Sequence, residues 1–151
     1  FPTKAEMWVS VAEHVAGLLT DAWAKALEGS KEPVERLKAL TGAQLDQITA
    51  NPAMPMLLFS RELNVENAAL REAFRDRLVT LHGLLMRGVI EGQQDETLCS
   101  DVAAGDVAVL LTSLIQGVAI RWSLGARDFA LREEGLRLLA VQLRLLGVRE
   151  G

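Results

Sequence analysis

The chain is short of the residues that cross-linking and catalysis require. Its 151 residues include one cysteine, Cys99, and two histidines, His14 and His82. One cysteine excludes an internal disulfide framework and suits a reducing compartment, so the expected location is cytoplasmic. Two histidines far apart in the chain, with no cluster of acids or cysteines at metal-ligand spacing, fall short of the three or four ligands zinc prefers. No metal and no cofactor are therefore expected. A glycine-rich phosphate loop, a G-x-S-x-G elbow and an H-E-x-x-H pair are all missing, so no catalytic residue is assigned and the chain does not read as an enzyme. Cys99 stands in a polar stretch without a neighbouring base to activate it, and reads as an ordinary loop residue.

Positive charge is scarce as well. Sixteen Lys and Arg against twenty Asp and Glu leave a net charge of −4, and no basic run is dense enough to neutralise several phosphates. These residues do not themselves form a nucleic-acid surface. The longest apolar stretch, 107–120, contains Thr112, Ser113, Gln116 and Gly117 and is bracketed by Asp106 and Arg121. It falls short of the roughly 20 residues a bilayer requires, so no membrane partner is expected. Alternating strand patterns, internal repeats and low-complexity tracts are also missing.

What remains is helical periodicity with abundant apolar surface. Half of the residues are hydrophobic, enough for a core in one domain of this length. Thr3 and Glu6 have capping-box spacing, which predicts a helix from about Lys4. Its apolar side is expected to run Met7, Val11, Val15, Leu18, Ala22, Ala26, with Gly29 ending it. Pro33 fits the first turn of a second helix carrying Leu37, Leu40, Leu45 and Ile48. Asn51-Pro52 breaks that helix, and Pro55 limits the next piece to a short helix over 56–63. Asn64 is a plausible cap for the longest helix, 65–93, about 40 Å long. Its stripe is Leu70, Phe74, Leu78, Leu81, Leu85, Val89. A polar connection over 93–103 leads to two final helices, 104–124 and 129–146, joined through 125–128. The expected fold is an all-α bundle of about six helices.

Those last two helices are apolar on more than one face. In the first, Val107, Leu110, Leu111, Leu114, Ile115, Val118, Ile120 and Trp122 leave almost no polar side. In the second, Leu136, Leu139, Leu143 and Leu146 form one stripe, and Leu131, Leu138, Val141 and Leu145 cover much of the rest. A surface helix needs only one apolar stripe of about 100°. The excess calls for a second cover, and a second copy of the chain is the commonest kind. The last two helices are thus expected to form a four-helix homodimer interface through Leu110, Leu114, Gly117, Arg121, Trp122, Leu136, Leu139 and Leu143. Gly117 and Gly135 cost about 1 kcal/mol each relative to alanine mid-helix. Close helix approach would use that cost; tolerance of a weak spot is the other reading.

Three features fit either a core or a pocket. His14 lies near Val11 and Leu18, and His82 between Leu78 and Met86, so both tend toward the apolar side. They read as boundary histidines with one hydrogen bond, or as polar anchors in a greasy cavity. Met54, Met56, Leu57, Leu58 and Phe59 form a soft knot after the proline break, suited to core filling or to an adaptable wall.

Several stretches together resemble one family. Phe1-Pro2-Thr3-Lys4 followed by Ala5-Glu6-Met7-Trp8 resembles the junction in TetR-family transcriptional regulators, where the helix-turn-helix head gives way to the linking helix. The segment Asn67-Ala68-Ala69-Leu70-Arg71-Glu72-Ala73-Phe74 is similar to the start of that family's long central helix. Gly92, Asp101, the run from Leu114 through Gln116-Gly117 to Arg121-Trp122, and Glu134-Gly135-Leu136-Arg137-Leu138-Leu139 resemble its final helices. The likeness spans essentially the whole chain. It departs at Cys99, where many relatives carry arginine.

The resemblance implies the ligand-sensing and dimerising core of a repressor, residues 1–151, with 1–8 as the junction to a DNA-reading head upstream of Phe1. The opening on Phe1 rather than Met reads as a start that has been cut off or is not resolved. Operator DNA would be a partner only through that head. A small lipophilic effector would enter between the linking helix and the central helices, tilt the linking helix, and spoil the spacing of the two heads on DNA. Inward-facing positions for this pocket are Val11, Val15, Leu18, Leu40, Gln44, Ile48, Leu57, Leu78, His82 and Ile115, with Gln44 and His82 as hydrogen-bonding groups. The alternative is a helical dimerisation or adaptor module that binds no small molecule.

Overall fold

The computed structural model describes residues 3–52, 68–125 and 127–147, which form five α-helices and, among the described residues, no strand. They are α1 (Lys4–Glu28), α2 (Pro33–Ala50), α3 (Ala68–Gln94), α4 (Ala104–Leu124) and α5 (Leu131–Leu145). The expected short helix over 56–63, the Asn64 cap and the first residues of the long helix lie outside the described residues.

Local chemistry sets the ends. The capping box before α1 is complete: Glu6 N–H donates to Thr3 Oγ1 at 3.1 Å, and Thr3 N–H donates to Glu6 Oε2 at 3.0 Å. Two orphan amides of the first turn are thereby satisfied. α2 opens on Pro33, where the missing N–H costs nothing. α5 is shorter at both ends than the 129–146 expected from its apolar residues.

Helix α2 is the hub, packing against each of the other four. Leu37, Leu40, Leu45 and Ile48 are all buried, as expected, and Thr41, Gly42 and Gln44 are buried with them. Two glycines of neighbouring helices make the close approach possible. A Cβ on Gly88 of α3 would lie 2.8 Å from Leu37 Cδ2, and one on Gly135 of α5 would collide with Leu45 Cδ1. Gly135 is thus spent on packing within the chain. α1 lies against α2 and α3, and α4 against α3 and α5.

The inward face of α1 differs from the expectation. Met7, Val11 and Leu18 are exposed, whereas Ala12, Val15, Leu19 and Trp23 are buried and Trp8 is partly so. Two apolar stripes overlap on this helix and share Val15. The one that turns inward is Trp8–Ala12–Val15–Leu19–Trp23, because an indole removes more apolar area from water than any side chain of the other stripe.

On α3, Phe74, Leu81, Leu85 and Val89 are buried and Leu78 is half-buried. The corner after it is closed by its backbone: Leu98 N–H donates to Gly92 O at 2.9 Å, and Cys99 N–H donates to Leu146 O at 3.1 Å. Gln93 Nε2 donates to both Cys99 O and Val102 O, at 3.1 and 2.8 Å. Cys99 therefore sits at a tied corner. α4 is long and apolar enough, by length and composition alone, to cross a membrane. In the fold its Val107, Leu111, Ile115, Val118 and Trp122 turn into the core.

Candidate functional site

Two regions concern function: the interior between α1, α2 and α3, and the outward side of the α4–α5 pair.

In the interior, Val15, Leu40, Ile48 and Ile115 belong to one apolar cluster. Leu78 and His82 are half-buried on α3. Val11 and Leu18 stand outside the cluster, 43% and 37% exposed, because the other stripe of α1 is the buried one. His14 is exposed for the same reason and does not approach the apolar interior. Leu57 lies outside the described residues. Gln44 is buried, but its Oε1 already accepts a hydrogen bond from Trp23 Nε1 at 2.9 Å. Trp23 is the interior residue that the expected apolar stripe passed over. Its signal was the four- and three-residue spacing from Trp8, and a buried indole N–H needs an acceptor of this kind.

A second feature lies where no apolar pattern pointed. An open groove of about 450 Å³ runs between α1 and α3, lined by Glu13, Ala16, Gly17, Thr20 and Asp21 from one helix and by Ala73, Asp76 and Arg77 from the other. Arg77 Nη1 donates to Thr20 Oγ1 at 2.9 Å. Among the described residues no group of three or more His, Cys, Asp or Glu is arranged to hold a metal ion.

On the outward side, α4 presents Leu110, Leu114, Gly117, Arg121 and Leu124 at spacings of four and three, one continuous helix face. Leu110 is 49% exposed and Leu124 83%. Leu114 is partly buried, and a Cβ added at Gly117 would meet nothing within 4 Å. α5 adds Val141 and Leu145, 46% and 77% exposed, while Leu138 is partly buried against the core. Three residues expected on this face are not there. Trp122, Leu139 and Leu143 are buried in the chain's own core, 5% exposed or less. On α5 the four-residue row Leu131–Gly135–Leu139–Leu143 turns inward, which rotates Val141 and Leu145 outward. Leu136 is packed partly against the core.

A polar cluster on α5 reaches α4 beside this face. Glu134 accepts from Arg137 Nη2 at 2.5 Å and Nε at 3.2 Å, and its Oε1 lies 3.7 Å from Arg121 Nη2 of α4. The Arg121 guanidinium also sits 5.5 Å from the Phe129 ring centroid. Hydrogen bonds from Arg137, reinforced by the charge of Arg121, hold the Glu134 carboxyl below its ordinary range.

Neither a scan against protein-family models nor a search of curated proteins finds a match to this sequence.

Proposed function

We propose that the chain is the effector-sensing and dimerising core of a TetR-like transcriptional repressor. In this reading two copies join through the outer side of α4 and α5, and a small lipophilic effector acts on α1 to release DNA bound by heads upstream of it. The observation that carries it is the outward row of Leu110, Gly117, Val141 and Leu145, with Leu114 partly buried beside it, on a pair of helices that also fill the core. A soluble monomer seldom leaves such a contiguous apolar patch in water. Open space at Gly117 suits a partner helix, since the glycine is not needed for packing within the chain. The family resemblance supplies the regulatory role, and the all-helical architecture agrees with it.

The effector half rests on the interior of α1, α2 and α3, where apolar side chains outnumber polar ones. An uncharged or weakly polar ligand is the class that such walls accept, with the half-buried His82 of α3 as its candidate polar anchor. Physically, the ligand needs only to favour the tilted α1 over the DNA-competent one by a few kcal/mol. The measurement is a thermal melt against a panel of lipophilic compounds. A binder at one hundred times its Kd stabilises by about 2.7 kcal/mol, which raises the melting temperature of a chain this size by about 5–10 °C. Uniform failure to raise it supports the adaptor reading instead. That reading is favoured by one observation, the commitment of Gln44 Oε1 to Trp23.

A further inference from the structure

The interior between α1, α2 and α3 holds one hydrogen bond whose direction is chemically fixed. An indole N–H only donates, so Trp23 Nε1 bonds, at 2.9 Å, to the oxygen of the Gln44 amide and not to its nitrogen. That settles which way round the amide lies. Its Nε2, with two N–H groups, is turned away from Trp23 and meets no acceptor among the described residues. Gln44 is 4% exposed. Yet among the described residues no side-chain nitrogen or oxygen sealed in the core lacks a partner. Nε2 is therefore not sealed. It borders space wide enough for an atom the size of a water oxygen.

The surroundings select what sits there. Leu40 and Ile48 lie one turn before and after Gln44 on α2, and both are buried. Leu19, one turn before Trp23 on α1, is buried too. The polar side chains buried among the described residues are Thr41 and Gln44, and the Thr41 hydroxyl is spent on Leu37 O. Among the described residues no Lys, Arg or His is buried to neutralise an anion. An unpaired charge in such surroundings costs far more than a neutral acceptor does.

We propose that Gln44 is the specificity-determining residue of the interior site. It donates from Nε2 to a neutral, lipophilic ligand that carries a hydrogen-bond acceptor, the carbonyl of a ketone, ester or lactone. Trp23 is the positioning residue that presents the donor end of the amide. Ligands whose only polar group is a donor are disfavoured, because the amide turns its oxygen to the indole. This rests on the sensing reading above and adds to it the polarity of the effector.

Three bicyclic probes of nearly equal size test it in NMR titrations of the whole chain. 1-Indanone offers an acceptor only, indole a donor only, and indane neither. The wild type is expected to bind 1-indanone about five-fold more tightly than indane, the worth of one neutral hydrogen bond, and indole no better than indane. Gln44→Met brings 1-indanone down to the level of indane. Trp23→Phe frees the amide to turn, so indole rises to the level of 1-indanone, whereas a merely structural loss weakens all three alike. In the wild type the Gln44 side-chain amide resonances shift with 1-indanone and stay in place with indane, which decides the matter if a variant fails to fold. Equal affinity of the wild type for 1-indanone and indane overturns the proposal, as does an unchanged order of the three probes in Trp23→Phe. Binding of none of them overturns the sensing reading and this inference with it; binding without discrimination overturns this inference alone.

Discussion

At the scale of single residues, the glycines separate two kinds of contact. Gly135 faces the fully buried Leu45, whose Cδ1 an added Cβ would strike. Gly135→Ala gains about 1 kcal/mol of helix propensity but overpacks the α2–α5 contact, which typically costs about 1–3 kcal/mol. A net drop in unfolding free energy by chemical denaturation is expected. Gly117→Ala has no such neighbour within the chain, so in a monomeric state it is neutral or stabilising. A loss of stability on Gly117→Ala would be the result expected if a second copy packs there, as proposed. The buried pair gives another expectation. Gln44→Leu leaves the Trp23 N–H without its acceptor and costs about 1–3 kcal/mol, seen as a lower denaturation midpoint and a shifted indole emission.

At the scale of helices, the pairing of Glu134 with Arg137 in α5, and more weakly with Arg121 of α4, responds to pH. A carboxylate held below its ordinary pKa stabilises the folded state once it is ionised, and that contribution is lost as pH falls through the folded-state value. Glu134 should therefore support the hairpin at neutral pH and cease to do so as the pH drops below its ordinary value of 4.5. Glu134→Gln lowers the melting temperature at pH 7 by a small amount, and its melting temperature declines less steeply than that of the wild type under acid. Equal slopes for the two proteins would show that the pairing with Arg137 and Arg121 contributes nothing.

Helix ends were legible from the chain because each carries its own chemistry. The Thr3–Glu6 box, Gly29, Pro33, Asn51-Pro52 and the bounds of α4 all mark boundaries that the fold respects. Faces were less legible, for a physical reason. α1 carries two apolar stripes one residue apart, and periodicity alone does not rank them; the indole of Trp23 and its acceptor on α2 do. α4 is apolar over more than one face and α5 carries a broad apolar side, so the pattern alone does not say which half of each helix meets the core. That choice came from α2, the hub. Its contact with α5 turned Leu139 and Leu143 inward and left Val141 and Leu145 outside. The groove beside Gly17 escaped notice because its walls are small and polar residues, which carry no hydrophobic period.

At the scale of the whole molecule, the account stands or falls on what covers the outer side of α4 and α5. Leu110 lies there at 49% exposure and takes no large part in the core, so Leu110→Arg tests the face without undoing the fold. An obligate interface of this kind buries more than about 2,000 Å², and an arginine forced into it would leave a desolvated charge without a partner. The deciding measurement is the mass in solution by multi-angle light scattering. The wild-type chain is expected at twice its 16.5 kDa, and Leu110→Arg at the single mass with its helical circular dichroism intact. A wild-type chain that runs as one copy at micromolar concentration would contradict the account, as would a Leu110→Arg variant that remains an unchanged dimer.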